Sequence, residues 1–188
     1  MTVYDFDKTV FYPDSSAQFI KFCFTRYPLE VFGAVVGSIP RAVWYILHGR
    51  SDATALKERL FSFLGKIDDI DGVLSDFWEE NAERIGKWYL DMRRSDDVII
   101  SASPEFLHRP IADRLGFQLI GTKMDKKTGR IDGLNCQGTE KVRRFREIFP
   151  DVNPEKFFSD SLSDTPMAMI ADKAFIVKRG TLSVWQCK

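Results

Sequence analysis

The first hydrophobic segment of the chain ends in two acidic residues. Val3 and Tyr4 lie directly before Asp5-Phe6-Asp7, and a short apolar run of this kind predicts a buried strand. Beyond Thr9 the pattern becomes helical, because apolar residues recur at helical spacing as far as Leu90. The pattern therefore predicts one strand followed by a long all-helical segment.

The second half of the chain alternates between short apolar runs and helical stretches. Strands are predicted at 97–101, 118–122, 156–159 and 174–177, helices at 104–115, 140–149 and 165–171, and a turn between extended arms at 125–133. This alternation indicates an α/β protein with a mainly parallel sheet and helices on both faces. Ligands of such sheets bind at the carboxyl ends of the strands, so functional residues are expected there.

Asp5 and Asp7 present an electrostatic problem at the end of the first strand. Side chains at positions i and i+2 of a strand share a face, so the two carboxylates point roughly the same way and repel each other. A cation or a chemical step between them would offset this repulsion. Alternatively, both residues cap the following turn, where Asp is common, and the pair alone leaves both interpretations open.

Polar residues also follow the other predicted strands. Ser101 closes the apolar run 98–100, Asp160 follows the strand at 156–159, and Lys141 begins a helix. Because strand ends of a parallel sheet meet at one edge, these residues are expected to lie near Asp5 and Asp7.

Composition restricts the class of protein. The 188 residues include 27 basic and 27 acidic ones, so the formal net charge is zero, which argues against a nucleic-acid partner held by many phosphate contacts. One domain, or one domain with an insertion, is expected at this length. The odd number of cysteines, Cys23, Cys136 and Cys187, indicates free thiols in a reducing compartment. With no secretory signal predicted at the N-terminus, we expect a cytoplasmic protein.

Four motifs, in order, resemble those of the haloacid dehalogenase superfamily of phosphotransferases. Asp5-Phe6-Asp7-Lys8-Thr9 resembles the first motif, D-x-D-x-T, and Ser101 resembles the second. Lys141 resembles the third motif, and Asp160-Ser161-Leu162-Ser163-Asp164 is similar to the acid pair of the fourth. The ordered set spans nearly the whole chain and is far more specific than any one of its members.

The resemblance implies a Rossmann-like catalytic core at 1–10 and 95–188 and an all-helical cap domain inserted at 11–94. It also implies a phosphatase in which Asp5 attacks phosphorus and forms an aspartyl-phosphate. Asp7 would protonate the leaving oxygen and then activate water. Superfamily members that cleave carbon–halogen bonds lack an acid at the second place, so Asp7 favours phosphate ester hydrolysis.

The resemblance further implies a Mg²⁺ cofactor, a hard ion that prefers oxygen ligands. Asp5 and Asp160 would bind it through carboxylates and Asp7 through its backbone carbonyl, with Asp164 as an additional acidic partner.

The phosphoryl oxygens would be held by Ser101 and the backbone N–H of Ala102, and Lys141 would neutralise their charge. The sequence departs from phosphoserine phosphatases after this motif, because Pro104 lies where those enzymes carry glycine. Proline has no N–H donor, which weakens the assignment to phosphoserine itself.

Two residues of the implied cap are candidates for substrate contact. Asp14 lies where phosphoserine phosphatases have a cap acid, and the segment 55–60 resembles the one that carries their substrate-binding arginine, here Arg59. Alternatively, Lys57, Glu58 and Arg59 form a solvated helix face.

The segment 31–47 is strongly apolar but contains Pro40 and Arg41. A membrane-spanning helix needs about 20 apolar residues, so we expect instead two short helices that pack into the core of the cap. The alternative is a peripheral contact with a membrane surface. The residues that would lie at that interface are Arg41, Trp44, Tyr45 and Arg50.

The predicted substrate is a small phosphorylated metabolite, such as a phosphoserine-like compound. Similar apolar caps occur in the branch of the superfamily that includes bacterial phosphatidylglycerophosphate phosphatases, so a lipid phosphate is the alternative. Two other hypotheses remain open: an enzyme that passes the phosphoryl group to an alcohol, and a non-catalytic sensor of a phosphorylated ligand.

Overall fold

The computed structural model describes residues 1–48 and 53–186. In this part of the chain, five parallel strands form a sheet with an antiparallel strand at one edge. They are β1 (Thr2–Tyr4), β2 (Val98–Pro104), β3 (Gln118–Thr122), β4 (Lys156–Ser159), β5 (Lys173–Lys178) and the antiparallel β6 (Thr181–Val184). The order is β3-β2-β1-β4-β5-β6. The predicted α/β class is confirmed, but β6 was not predicted.

Helices separate the strands. Between β1 and β2 lie α1 (Ser15–Arg26), α2 (Pro28–Leu47), α3 (Thr54–Leu60), α4 (Ile70–Asn81) and α5 (Lys87–Met92). The later connections contain α6 (Glu105–Leu115), α7 (Thr139–Ile148) and α8 (Thr165–Ile170). The predicted turn at 125–133 is present and is closed by an antiparallel bridge between Met124 and Ile131.

The two faces of the sheet bury separate groups of side chains, because neighbouring strand residues point in opposite directions. Val3 and Phe157 pack with Phe145 of α7 and Met167 of α8. Tyr4 and Phe158 face the other side, where they join a cluster that includes residues of α1, α4 and α6. Helices therefore cover both faces, as predicted.

The helical segment between β1 and β2 shares this second cluster with the sheet. Trp78 of α4 donates a hydrogen bond from Nε1 to the backbone oxygen of Leu107 in α6, at 2.6 Å. Phe19 and Phe77 lie in the same buried cluster as Phe6. The division into a core at 1–10 and 95–188 and a cap at 11–94 remains a prediction.

The prediction of two short helices packed into the core of the cap is wrong. α2 is one continuous helix that runs through Pro40, and it buries only Val31, Ala34 and Ser38. By length and composition this helix is apolar enough to cross a membrane, and only 17% of its apolar 18-residue stretch is buried inside the protein. Trp44 is 65% exposed, and Arg50 lies outside the described residues.

Candidate active site

A pocket of about 250 Å³ lies at the carboxyl ends of β1, β2 and β4. Its lining comes from the sequence motifs, from α1 and α3, and from the loop before α7. The lining residues are Asp5, Asp7, Lys8, Asp14, Ser16, Lys57, Ala102, Ser103, Gln137, Lys141, Asp160, Ser161, Ser163 and Asp164.

Lys141 joins two of the predicted acidic residues. Its Nζ donates hydrogen bonds to Asp5 Oδ1 at 2.6 Å and to Asp164 Oδ2 at 2.7 Å, and all three residues are buried. Burial lowers the pKa of Lys141, but the carboxylates of Asp164 and Asp5 outweigh this effect and raise the pKa overall. Lys141 is therefore a charged ammonium fixed against the Asp5 carboxylate.

Asp5 is held at both oxygens. Thr9 donates from Oγ1 to Asp5 Oδ2 at 3.2 Å, opposite the bond from Lys141. Burial raises the pKa of Asp5, and the Lys141 ammonium opposes that rise. Because the buried carboxylate of Asp5 has little freedom to rotate, its oxygens face a ligand in the pocket in a defined orientation.

Asp7 is oriented by the first turn of α1 and by the end of β2. Its Oδ1 accepts the backbone N–H of Ser15 at 2.6 Å, and its Oδ2 accepts the hydroxyl of Ser103 at 2.5 Å. Ser16 Oγ lies 2.7 Å from Ser103 Oγ. Because each hydroxyl carries one proton, Ser103 donates to Asp7 and Ser16 donates to Ser103.

Asp160 projects a carboxylate that accepts no hydrogen bond from any described side chain or backbone group. Its backbone N–H donates to Thr9 Oγ1 at 2.9 Å, which ties β4 to the first motif. Burial raises the pKa of Asp160, and Lys178 and Lys8 oppose that rise. Since Asp160 and Asp5 line the same pocket, a cation between them would relieve the cost of burying both charges.

The predicted metal ligands fit Mg²⁺ only in part. Within residues 1–48 and 53–186, no three His, Cys, Asp or Glu side chains are arranged to hold a metal ion. The carboxylate of Asp164 is engaged elsewhere, since its Oδ2 accepts from Lys141 and from Ser159. The carboxylates of Asp5 and Asp160 nevertheless supply hard oxygen donors, which suit an ion that keeps several waters.

Ser101 does not line the pocket, although the sequence predicted it as a phosphate ligand. It is fully buried, and its Oγ accepts the backbone N–H of Ser103 at 3.1 Å. Ala102 and Ser103 lie at the pocket surface instead. Ser103 was missed because it lies beyond the predicted strand at 97–101, in a part of β2 where the register with β3 is irregular, between Ile100 and Pro104.

The basic residue that α3 contributes to the pocket is Lys57. Its Nζ donates to the Ala102 carbonyl at 2.8 Å and to Asn135 Oδ1 at 2.7 Å. Burial lowers the pKa of Lys57, while Asp7 and Asp14 oppose that change. Arg59 lies instead against α2, where a Cβ on Gly37 would come within 2.1 Å of its Nη2.

Asp14 lines the pocket as the sequence predicted, and it also begins α1. Its Oδ1 accepts the backbone N–H of Ala17 at 3.0 Å, so it is the N-cap of the helix. Lys8 Nζ lies 3.7 Å from its Oδ2. Asp14 thus combines a structural role with a position at the pocket wall.

A buried pair connects α1 to α6 next to the pocket. Ser15 Oγ and His108 Nε2 are 2.7 Å apart, and both residues are fully buried. Burial lowers the pKa of His108 to about 3, so the imidazole is neutral. The contact with His108 fixes Ser15, whose backbone N–H donates to Asp7.

The arrangement has a clear chemical capacity. A buried carboxylate, Asp5, opens into a pocket that also presents the cations of Lys141 and Lys57. A second carboxylate, Asp7, lies two residues along the chain. Cations of this kind stabilise an anionic ligand, and paired carboxylates suit nucleophilic attack combined with proton transfer.

The chain is similar to several known proteins in sequence and in fold. The chain is 31% identical over 196 aligned residues to protein CicA from Caulobacter vibrioides, covering 96% of this chain and 87% of CicA. A crystal structure of a protein of unknown function from Bordetella pertussis Tohama I is similar with a TM-score of 0.75 and 19% identity, covering 93% and 87% of the two chains.

A phosphoserine phosphohydrolase-like protein from Francisella tularensis is similar with a TM-score of 0.58 and 14% identity, covering 93% of this chain and 86% of its own. These structural likenesses concern the fold. The family model of haloacid dehalogenase-like hydrolases matches residues 2–169, which confirms the predicted family. Together with the ordered motifs in the pocket, this match shows that the chain belongs to the haloacid dehalogenase-like hydrolase family.

Proposed function

We propose that this protein is a Mg²⁺-dependent phosphomonoester hydrolase that works through an aspartyl-phosphate. The observation that carries the proposal is the Asp5 carboxylate, held by Lys141 at 2.6 Å in a pocket that Asp7 and Asp160 also line. A phosphate dianion repels a bare carboxylate, so attack requires nearby cations. Lys141 supplies one such charge at the nucleophile.

In the proposed reaction, an oxygen of Asp5 forms a bond to phosphorus while the bond from phosphorus to the ester oxygen breaks. Asp7 gives a proton to the departing oxygen. It then takes a proton from the water that attacks the aspartyl-phosphate, which releases phosphate and restores Asp5. Asp164 keeps Lys141 in place during both steps.

Asp5 and Asp160, with the backbone carbonyl of Asp7, would hold the metal ion. When bound, Mg²⁺ supplies positive charge for the phosphoryl oxygens. The carboxylate of Asp160, which has no hydrogen-bond donor among the described residues, supports this assignment.

The test is Asp5→Asn. We expect hydrolysis of an aryl phosphate to fall by at least about 10³-fold, as is common when a nucleophile is removed, while the far-UV circular dichroism is unchanged. Asp113→Asn, at an exposed acid of α6, is the matched control and should keep the wild-type rate. Wild-type turnover by Asp5→Asn would sink the mechanism.

Two alternative functions are separable by product analysis. An enzyme that transfers the phosphoryl group to an alcohol would form a new ester when glycerol is added, whereas a hydrolase releases phosphate. A non-catalytic sensor would bind the ester and release nothing. The presence of Asp5, Asp7 and Lys141 together favours hydrolysis, since a sensor needs no nucleophile.

We propose a small phosphorylated metabolite as substrate, because the pocket is small and polar. Lys57 and Asp14 lie at its wall and would contact the part of the substrate beyond the phosphate. The thiols of Cys23 and Cys136 are free, which supports a reducing, cytoplasmic location. The neutral net charge supports the absence of a nucleic-acid partner.

A second candidate is a lipid phosphate, met at a membrane surface. The observation that favours it is the solvent-exposed apolar side of α2. Its exposed large side chains are Leu29, Phe32, Val35, Val36, Ile39, Val43, Trp44, Ile46 and Leu47. Such a helix can lie in the interface, with Trp44 and Arg41 near the headgroups.

The test of this second candidate is co-sedimentation with vesicles that contain phosphatidylglycerol. We expect the wild-type protein to sediment and the double variant Val36→Glu/Trp44→Glu to stay in the supernatant. The double variant Ile148→Glu/Met169→Glu, at exposed apolar residues of α7 and α8, adds the same number of charges and is the matched control. A wild-type protein that stays in the supernatant rules the candidate out.

A further inference from the structure

A second pocket, of about 460 Å³, shares one residue with the candidate active site. Lys8 lines both pockets. The walls of the second pocket come from the segment after the first motif, from the start of α5 and from the turn between β5 and β6. Its other lining residues are Thr9, Val10, Tyr12, Gly86, Lys87, Trp88, Arg179 and Gly180.

The charge of this pocket is entirely positive. Lys8, Lys87 and Arg179 come from three separate segments, and no acidic residue is among the lining residues. Within the described chain, the side chains of Lys87 and Arg179 make no hydrogen bond or ion pair, and Lys8 has only the 3.7 Å contact with Asp14. A pocket that is lined by three cations and by no acidic residue attracts an anionic ligand.

The indole ring of Trp88 forms a fixed wall of this pocket. It packs on Phe158 and Tyr4, with ring centroids 5.7 and 6.1 Å away. A Cβ on Gly86 would lie 2.7 Å from its Nε1, and one on Gly180 would lie 3.6 Å from its Cδ1. Only glycine at position 86 leaves room for the ring of Trp88. This wall of the pocket is therefore already formed in the folded protein, before any ligand binds.

Arg179 occupies a backbone position that disfavours it. It has a φ of 50° and precedes Gly180 with a φ of 81°, in the two-residue turn of the β5–β6 hairpin. Turns with positive φ at both positions are usually Asn-Gly or Asp-Gly, and the Cβ of other residues approaches the following carbonyl oxygen, which makes that conformation costly. An arginine in this unfavourable backbone conformation indicates that its guanidinium has a function at the pocket.

We propose that this pocket binds a second phosphate-type anion, monoester or diester, carried by the same substrate whose phosphomonoester is cleaved at Asp5. The inference rests on the proposed function, since it assigns the remainder of that substrate. Lys8 lies between the two anions and contributes to both pockets. The substrate class is therefore a phosphomonoester with a second phosphate a short linker away.

The test compares alkanediol bisphosphates of three, four and six carbons with the corresponding monophosphates. Their binding to the Asp5→Asn protein is measured by calorimetry, so no turnover is needed. We expect the second phosphate to tighten Kd by roughly tenfold or more for at least one linker, as one charge-assisted hydrogen bond does. Lys87→Gln/Arg179→Gln in the same background should abolish that gain.

The matched control is Lys66→Gln/Arg130→Gln, which removes the same two charges at exposed positions outside both pockets and should keep the gain. No gain for any linker, or a gain that survives in Lys87→Gln/Arg179→Gln, would overturn the inference. Failure of the proposed function gives a different result, namely that wild-type protein hydrolyses none of the monophosphates. The binding comparison is independent of that outcome.

Discussion

Lys57 is the basic residue that the helical segment contributes to the pocket of the candidate site. We expect Lys57→Gln to raise KM for a phosphorylated substrate by roughly tenfold, because a cation at the pocket wall is lost, and to change kcat less. The Ala102 carbonyl keeps a donor in this variant, since Thr122 Oγ1 donates its one proton there at 2.7 Å. The amide of the new glutamine is a donor for Asn135 Oδ1.

Steady-state kinetics with a small alkyl phosphate measures this effect, and Lys66→Gln, at an exposed lysine of the same segment, is the control. An unchanged KM in Lys57→Gln would remove this residue from the substrate site.

The choice between Lys57 and Arg59 shows what the sequence leaves open in the site. Residues two apart on a helix point about 200° away from each other, so at most one of them reaches the pocket. The rotation of α3 depends on its packing against α2, where Arg59 covers Gly37, and no local pattern reveals it. By contrast, Asp5, Asp7 and Asp160 follow strands, and strand ends meet at one edge whatever the helices do.

His108 makes a prediction about pH. The imidazole has its ordinary pKa near 6.5 in the unfolded chain, and burial lowers the pKa to about 3 in the folded protein. The unfolded state therefore binds the proton at a higher pH than the folded state does. As a result, the free energy of unfolding decreases as the pH falls below 6.5. At pH 5 the loss is about 2 kcal/mol, since each pKa unit corresponds to about 1.4 kcal/mol.

Urea unfolding at pH 7.5 and at pH 5 tests this for His108→Gln. The variant should have a smaller change in the free energy of unfolding between the two conditions than the wild-type protein, by about 2 kcal/mol. Gln118→Asn is the control, because Gln118 is exposed and neither side chain titrates, so the pH dependence should match that of the wild type. Equal pH dependence in His108→Gln and the wild type would contradict the buried, neutral imidazole.

At the scale of elements, α2 carries an internal proline that the helix tolerates. A proline within a helix removes one backbone hydrogen bond and disfavours the preceding turn, at about 3 kcal/mol in an ordinary interior position. We expect Pro40→Ala to raise the free energy of unfolding by about 1–3 kcal/mol, because Pro40 is exposed and alanine needs no new space.

Urea titration followed by far-UV circular dichroism measures the gain, and Arg41→Ala, at the next exposed position of the helix, should stay within about 0.5 kcal/mol. A destabilised Pro40→Ala protein would mean that the proline is required for the path of α2.

Two elements show why local patterns predicted most of this fold and not all of it. Pro40 is normally a reason to divide a helix, yet α2 continues through it, although the three residues that α2 buries, Val31, Ala34 and Ser38, all precede the proline. β6 was missed although its residues, Thr181–Val184, alternate polar and apolar side chains at strand spacing. All four side chains are exposed, so burial contributes little to this strand. Its pairing with β5 depends on the Arg179-Gly180 turn, which is a tertiary feature as much as a local one.

For the molecule as a whole, the shared hydrophobic cluster implies that the helical segment and the sheet unfold together. Trp78 is 3% exposed, packs 5.4 Å from the ring of Phe11, and bonds to Leu107 across the two parts. Trp78→Phe removes that hydrogen bond and part of the buried ring, so the free energy of unfolding should fall by about 1–3 kcal/mol.

Unfolding in urea distinguishes a joint transition from a separate one. Far-UV circular dichroism follows the helices. With Trp44→Phe as the background, the indole rings that remain in Trp78→Phe are Trp88 and Trp185, and their fluorescence follows the sheet, on which both rings pack. Both signals of Trp78→Phe should shift to the same lower midpoint, while Trp44→Phe, at an exposed ring, should shift neither. If the circular dichroism signal alone moved, the helical segment would be an independent folding unit. The pocket that Lys57 and Asp5 both line would then depend on how the helical segment docks onto the sheet.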